Sequence, residues 1–216
     1  MERDYIRYIY EFIGTFFLVL TVGLVTLDPH NIGLWAPLAI GSILMVMVFA
    51  GGHISGGHYN PAVSLAAFIA KKLSSRDLGI YWVVQFVAGI IAALLTAYLK
   101  DGFSSHAIEI QYDKAFVLEF LFTFALCYVV LNVAAARATD GNSYFGLAIG
   151  FTVLVGAYAI GNLSSAALNP AVALGLSVLK SSAWSNLWVY LIANLLGGAV
   201  AAWVFNAAHP IENKEF

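Results

Sequence analysis

Charge is what this sequence lacks. Of its 216 residues only 22 are Asp, Glu, Lys or Arg, about 10% where an ordinary soluble domain carries about 25%. So few charges cannot wet the surface of a water-soluble globule. With 61% of the residues hydrophobic, the composition is that of a membrane protein. Disorder is excluded by the same figures, since unfolded chains combine low hydrophobicity with high net charge. The lone cysteine, Cys127, excludes a disulfide scaffold. A net charge of -2 leaves no surplus of cation to neutralise phosphates, so no nucleic-acid partner is expected. Nucleophile elbow, phosphate loop and zinc-protease signature are all missing, and the ionisable residues cluster mostly in connections. No enzyme and no cofactor are expected.

Long uncharged runs are what the sequence has. No Asp, Glu, Lys or Arg occurs between Asp28 and Lys71, Asp77 and Lys100, Glu119 and Arg137, Asp140 and Lys180, or Lys180 and Glu212. A barrel strand needs only about 9 to 11 residues and alternates polar with apolar, so these runs predict helices. Windows of about 20 apolar residues fit six crossings, near 5–27, 33–52, 79–99, 115–136, 143–161 and 184–207. The first carries Glu2, Asp4 and Glu11 besides Arg3 and Arg7 and no small-residue cleavage site, so it reads as a span and not a signal peptide. Two runs are too long for one helix each. Gly- and polar-rich stretches interrupt them, Gly51 to Tyr59 and Gly161 to Ser165, with extended backbone expected over 53–59 and 162–168. Short apolar segments follow at 61–70 and 170–179. Ten helical residues rise about 15 Å, half of a hydrocarbon core about 30 Å thick, so these segments predict re-entrant half-helices.

The chain also repeats itself. Leu38-Ala39-Ile40-Gly41 recurs as Leu147-Ala148-Ile149-Gly150, and Asn60-Pro61-Ala62-Val63 as Asn169-Pro170-Ala171-Val172, both at an offset of 109. Gly52 and Gly161, Ser55 and Ser164, and Gly89 and Gly198 keep that offset, while Glu11-Phe12, Thr15-Phe16 and Leu18 find Glu119-Phe120, Thr123-Phe124 and Leu126 at 108. Two repeats, about 1–108 and 109–216, are expected to make a single transmembrane domain of the inverted-repeat kind that channels and transporters use. Each holds three crossings and a half-helix, and an odd number of crossings inserts the second half upside down. With the amino terminus inside, Arg3, Arg7, Lys71, Lys72, Arg76, Arg137 and Lys214 fall inside, against Lys100, Lys114 and Lys180 outside. Both termini are then expected to be cytoplasmic. Trp35, Trp82, Trp184, Trp188 and Trp203 read as headgroup anchors near span ends.

Asn is a favoured N-cap and Pro a favoured first helical residue, so each Asn-Pro starts a half-helix. If the side-chain oxygens of Asn60 and Asn169 cap the first turns, their NH2 groups stay free to donate to a solute in front, beside two positive helix ends. The extended segments would add a file of carbonyl acceptors, because backbone at that depth is tolerated only where it lines protein or a wet cavity. Such a path suits small neutral molecules and rejects ions. One Asn-Pro is as readily a plain turn as a site; two identical boxes at equivalent repeat positions mark a site.

The paired Asn-Pro-Ala boxes, the run from Gly52 to Val63, and the Glu11 and Glu119 pair resemble the aquaporin (major intrinsic protein) family over essentially the whole chain. The resemblance implies an all-α bundle of six tilted transmembrane helices and two half-helices, a pore in each subunit, and a homotetramer in the plasma (inner) membrane. It implies a lining of Asn60, Pro61, Ala62, Asn169, Pro170 and Ala171, and a constriction at Ile40, Ala157, Ala166 and Val172. Most relatives have Arg where this chain has Val172. Water-selective ones carry an aromatic and a His at the positions of Ile40 and Ala157, and glycerol conductors an Asp at that of Ala173. The ring here is expected to be wider and more apolar, unless Tyr158 or Phe103 refills it.

Glu11 and Glu119 are expected to hold the re-entrant loops through backbone amides, with a proton relay as the alternative. His53 and His58 are expected to support the first loop, and no metal site is expected. Gly89, Ala93, Gly198 and Ala202 fit close helix crossings. Water, small neutral solutes and the bilayer are the expected partners. An ion-coupled transporter, for which Glu11 and Glu119 would be the coupling candidates, and a pore closed by its apolar ring are the alternative functions.

Overall fold

A computed structural model describes residues 4–27 and 32–210. Its helices are α1 (Asp4–Thr26), α2 (Ala36–Ser55), α3 (Pro61–Ile69), α4 (Ser75–Leu99), α5 (Tyr112–Ala134), α6 (Phe145–Ser164), α7 (Pro170–Val178) and α8 (Leu187–Ala208). Among the described residues, six helical segments are long and apolar enough to cross a membrane, built on α1, α2, α4, α5, α6 and α8. The nine-residue α3 and α7 are too short. The fold is all-α. Arg3 and Lys214, which enter the charge argument above, lie outside the described residues.

Burial is arranged as lipid requires. Large apolar side chains such as Leu94, Leu121, Phe151 and Trp203 face outward, while Ala88, Ala92, Ala93, Ala201 and Ala202 are fully buried. Helices in a bilayer gain nothing from hiding leucine from lipid and associate instead through close backbone packing, which small residues permit. The repeated Leu-Ala-Ile-Gly explains itself here. A Cβ on Gly41 would lie 2.7 Å from Gly150 O and one on Gly150 2.6 Å from Gly41 O, so the α2–α6 crossing leaves room for glycine alone.

The halves pack alike. α1 lies against α4 and α2 as α5 lies against α8 and α6, and the half-helices exchange partners, α3 packing on α8 and α7 on α4. The small residues of α4 and α8 therefore meet half-helices: a Cβ on Gly89 would stand 2.8 Å from Ala171 O, and one on Gly198 2.6 Å from Ala62 O. At the end carrying the termini, Ser74 caps α4 by accepting from Asp77 N at 3.0 Å. The Asp77 carboxylate in turn accepts from Arg7 at 3.2 Å and Tyr8 at 2.7 Å, pinning α1 to α4.

The extended segments are shorter than the sequence suggests. α2 runs on through Gly51, Gly52 and His53 to Ser55, and α6 through Gly161 and Asn162 to Ser164, leaving only 56–60 and 165–169 between the long helices and the half-helices. Gly and polar residues read as a loop, yet one more helical turn satisfies their backbone groups internally where water is scarce. Left-handed caps stop both helices, Gly56 at φ 89° and Ser165 at φ 72°.

Candidate functional site

Each half-helix starts as its sequence dictates. Asn60 is extended at φ -156° and its Oδ1 accepts from Ala62 N at 2.8 Å; Asn169, at φ -159°, accepts from Ala171 N at 2.9 Å. Pro61 and Pro170 occupy the first turns, where no N–H is missed. The NH2 groups are less free than the sequence suggests. Asn60 Nδ2 donates to Leu168 O at 2.8 Å, and Asn169 Nδ2 to Tyr59 O at 2.9 Å, so each asparagine latches the opposite loop. An amide carries two N–H donors, which leaves one on each side chain. Both asparagines are 3% exposed and line a common cavity.

The carboxylates hold the loops. Glu11 accepts from Ser55 Oγ (2.7 Å) and His58 N (2.9 Å) on one oxygen, and from Tyr59 N (2.7 Å) and Gln85 Nε2 (2.9 Å) on the other. Glu119 accepts from Ser164 Oγ (2.8 Å) and Ala167 N (2.9 Å), and through its second oxygen from Leu168 N (2.8 Å). With the Asn194 amide oriented to satisfy both its ends, its nitrogen donates to Glu119 at 3.1 Å and its oxygen accepts from Asn169 N at 2.9 Å. Both carboxylates are fully buried. Such anchoring is needed because the loops turn through left-handed backbone at Gly56, Gly57 and Tyr59, and again at Ser165, Ala166 and Leu168.

Several members of this framework escaped the sequence reading. Gln85 and Asn194 sit at the repeat offset of 109 but differ in residue type, so matching identical residues passes over them. Tyr81 and Tyr190 keep the same offset; Tyr81 Oη donates to Ser55 O at 2.6 Å. Trp82 is not at a span end. It lies two turns into α4 and donates its indole N–H to Pro61 O at 2.9 Å, bracing the first turn of α3. Of the two histidines, His58 joins the loop framework, its Nδ1 3.1 Å from Ser64 Oγ. His53 is exposed in the last turn of α2 and lines a second cavity instead.

The cavity that holds the two asparagines measures about 480 Å³. Ile40 from α2, Ala157 from α6, Ala166 from the second loop and Val172 from α7 all line it, together with Asn60 and Asn169. None of those four side chains can form a hydrogen bond. Tyr158 is on the wall as well, whereas Phe103 is not and carries Lys180 Nζ 5.2 Å above its ring. The second cavity, about 490 Å³, opens at the end carrying the termini between α2, the α5–α6 connection and α6, with His53, Arg137, Asp140 and Asn142 on its wall. Asn60 and Asn169 line the first cavity and neither lines the second. The arrangement offers amide donors and positive helix ends to a solute, which favours neutral molecules over cations. Among the described residues, no three of His, Cys, Asp or Glu gather to hold a metal.

The family model described as major intrinsic protein matches residues 5–205. The chain belongs to that family. As an aquaporin-type channel it is a multi-pass membrane protein passing water and small solutes passively. It is similar to nodulin-26 of Glycine max, with 34% identity over 206 residues covering 91% of this chain and 75% of the relative. Aquaporin TIP1-2 of Musa acuminata is 38% identical over 176 residues, 79% and 69% of the two chains. Aquaporin NIP1-1 of Oryza sativa subsp. japonica is 34% identical over 209 residues, 93% and 73%. The solved structure of the aquaglyceroporin from Plasmodium falciparum superposes with a TM-score of 0.79, covering 97% of this chain and 99% of its own, at 23% identity. That likeness bears on the fold.

Proposed function

We propose that this aquaporin conducts small uncharged solutes less polar or larger than water, as well as water, through an apolar constriction formed by Ile40, Ala157, Ala166 and Val172. The observation that carries the reading is that these four line one cavity with Asn60 and Asn169 while offering no donor and no fixed charge. Of the two Asn-Pro-Ala boxes, Asn60 and Asn169 line the cavity, while Pro61, Ala62, Pro170 and Ala171 are buried behind them and set the starts of the half-helices; loop support is assigned to Glu11, Glu119 and His58, and His53 is reassigned to the wall of the second cavity. Rejection of cations then rests on the positive ends of α3 and α7. Every oxygen of Glu11 and Glu119 is occupied by loop or framework donors, which speaks against their service as coupling groups of a transporter.

The reading extends to the assembly. The single channel domain consists of inverted repeats of about 1–108 and 109–216, works as a homotetramer, and sits in the plasma (inner) membrane with both termini cytoplasmic. The test is Val172→Arg in reconstituted vesicles. A guanidinium in the ring narrows it and restores a charge, so flux of glycerol and urea falls more than that of water. An unchanged ranking of solutes means that Val172 does not face the path.

A further inference from the structure

The two re-entrant loops follow the same backbone course with different residues. Where the first has Gly56 at φ 89° and Gly57 at φ 62°, the second has Ser165 at φ 72° and Ala166 at φ 46°. The left-handed region suits glycine and disfavours other L-residues. A serine at a position that its own repeat partner fills with glycine therefore works against the local backbone. Its side chain is the only thing gained.

The residue itself belongs to the cavity wall. Ser165 is half-buried on the cavity wall, next in sequence to Ala166 of the constriction. Its backbone N–H is already engaged, donating to Gly161 O at 3.0 Å as the cap of α6. The hydroxyl has a single long contact, from Tyr190 Oη at 3.5 Å, near the limit of a hydrogen bond. Its own O–H and at least one lone pair thus remain for a visitor. The four constriction residues provide neither.

We propose that Ser165 is a fifth selectivity residue, its hydroxyl supplying the hydrogen-bonding station that Ala157 and Val172 leave out, and that it favours neutral solutes with hydroxyl or amide groups. The proposal rests on the channel reading above. A polyol or an amide shedding water at an apolar ring must be offered bonds in exchange, or it enters at the full desolvation cost. Ser165 both donates and accepts, so it serves the oxygen of urea and the hydroxyls of glycerol alike.

The experiment uses the full chain in proteoliposomes, with stopped-flow light scattering under sucrose, glycerol and urea gradients for the wild type, Ser165→Gly and Ser165→Ala. Ser165→Gly relieves the backbone, so it is expected to assemble and resist heating at least as well as the wild type. Its glycerol-to-water and urea-to-water flux ratios fall about fivefold, the worth of one ordinary hydrogen bond. Ser165→Ala, which keeps the disfavoured backbone, shows the same drop in ratios. Ratios that stay the same or rise in both variants overturn the proposal while leaving the channel reading intact. A wild type that conducts none of the solutes overturns both.

Discussion

Glu119 is the residue whose loss the structure prices most directly. Its two oxygens satisfy Ser164 Oγ, Ala167 N and Leu168 N at 2.8 to 2.9 Å, deep in the protein and beside three non-glycine residues of left-handed backbone. In Glu119→Ala the two buried amides lose their acceptor. Each buried donor left unsatisfied costs about 1–3 kcal/mol, so the pair costs about 2–6 kcal/mol. Against a total stability of about 5–15 kcal/mol that is a large fraction. At about 2–4 °C per kcal/mol for a chain of this size, the melting midpoint falls by about 4–24 °C. Glu119→Gln keeps one acceptor oxygen and turns an NH2 toward the remaining donor, so it costs about half as much. The assay is the fraction of detergent-solubilised protein still eluting as a single species by size exclusion after heating, paired with water flux in vesicles. Glu119→Ala should lose both, and Glu119→Gln should fall between. An Ala variant that melts within about 2 °C of the wild type and conducts normally would refute the reasoning. A Gln variant that melts like the wild type but conducts nothing would put the carboxylate in the transport path.

Gly198 faces Ala62 O so closely that even a Cβ would lie 2.6 Å away, against a backbone atom that cannot swing aside. Gly198→Leu should displace α3 and cost about 1–3 kcal/mol or more, read as loss of water flux and of the heat-stable species; Gly79, whose Cβ would meet open space, should tolerate Leu with neither change. Val172→Arg, with its expected reordering of glycerol and urea behind water, addresses the constriction separately from the scaffold.

Much of this molecule is legible in its residues. The uncharged runs locate the crossings, and Asn60-Pro61 and Asn169-Pro170 locate the starts of the half-helices to the residue, because N-capping and a proline first turn are local physics. The glycine-rich interruptions were harder. Gly51, Gly52 and Gly161 look like a loop, but in a medium without water a helix keeps its hydrogen bonds until a left-handed cap ends it. The latch between Asn60 Nδ2 and Leu168 O, and its mirror from Asn169 to Tyr59 O, needs the two halves side by side and leaves no trace in spacing. Gln85 and Asn194 did leave one, as uncharged polar residues at matching depth in otherwise apolar spans, but only a comparison by polarity instead of identity brings it out. Trp82 read as a headgroup anchor since nothing in the sequence marks the carbonyl of Pro61 as its acceptor.

The most direct test of the central claim is flux through the purified wild-type chain in vesicles, measured by stopped-flow under sucrose and glycerol gradients with and without an imposed proton or sodium gradient. The account predicts shrinkage and reswelling faster than in empty vesicles, linear in solute concentration and indifferent to either ion gradient. Rates equal to those of empty vesicles, or uptake that saturates and collapses when the ion gradient is dissipated, would contradict it.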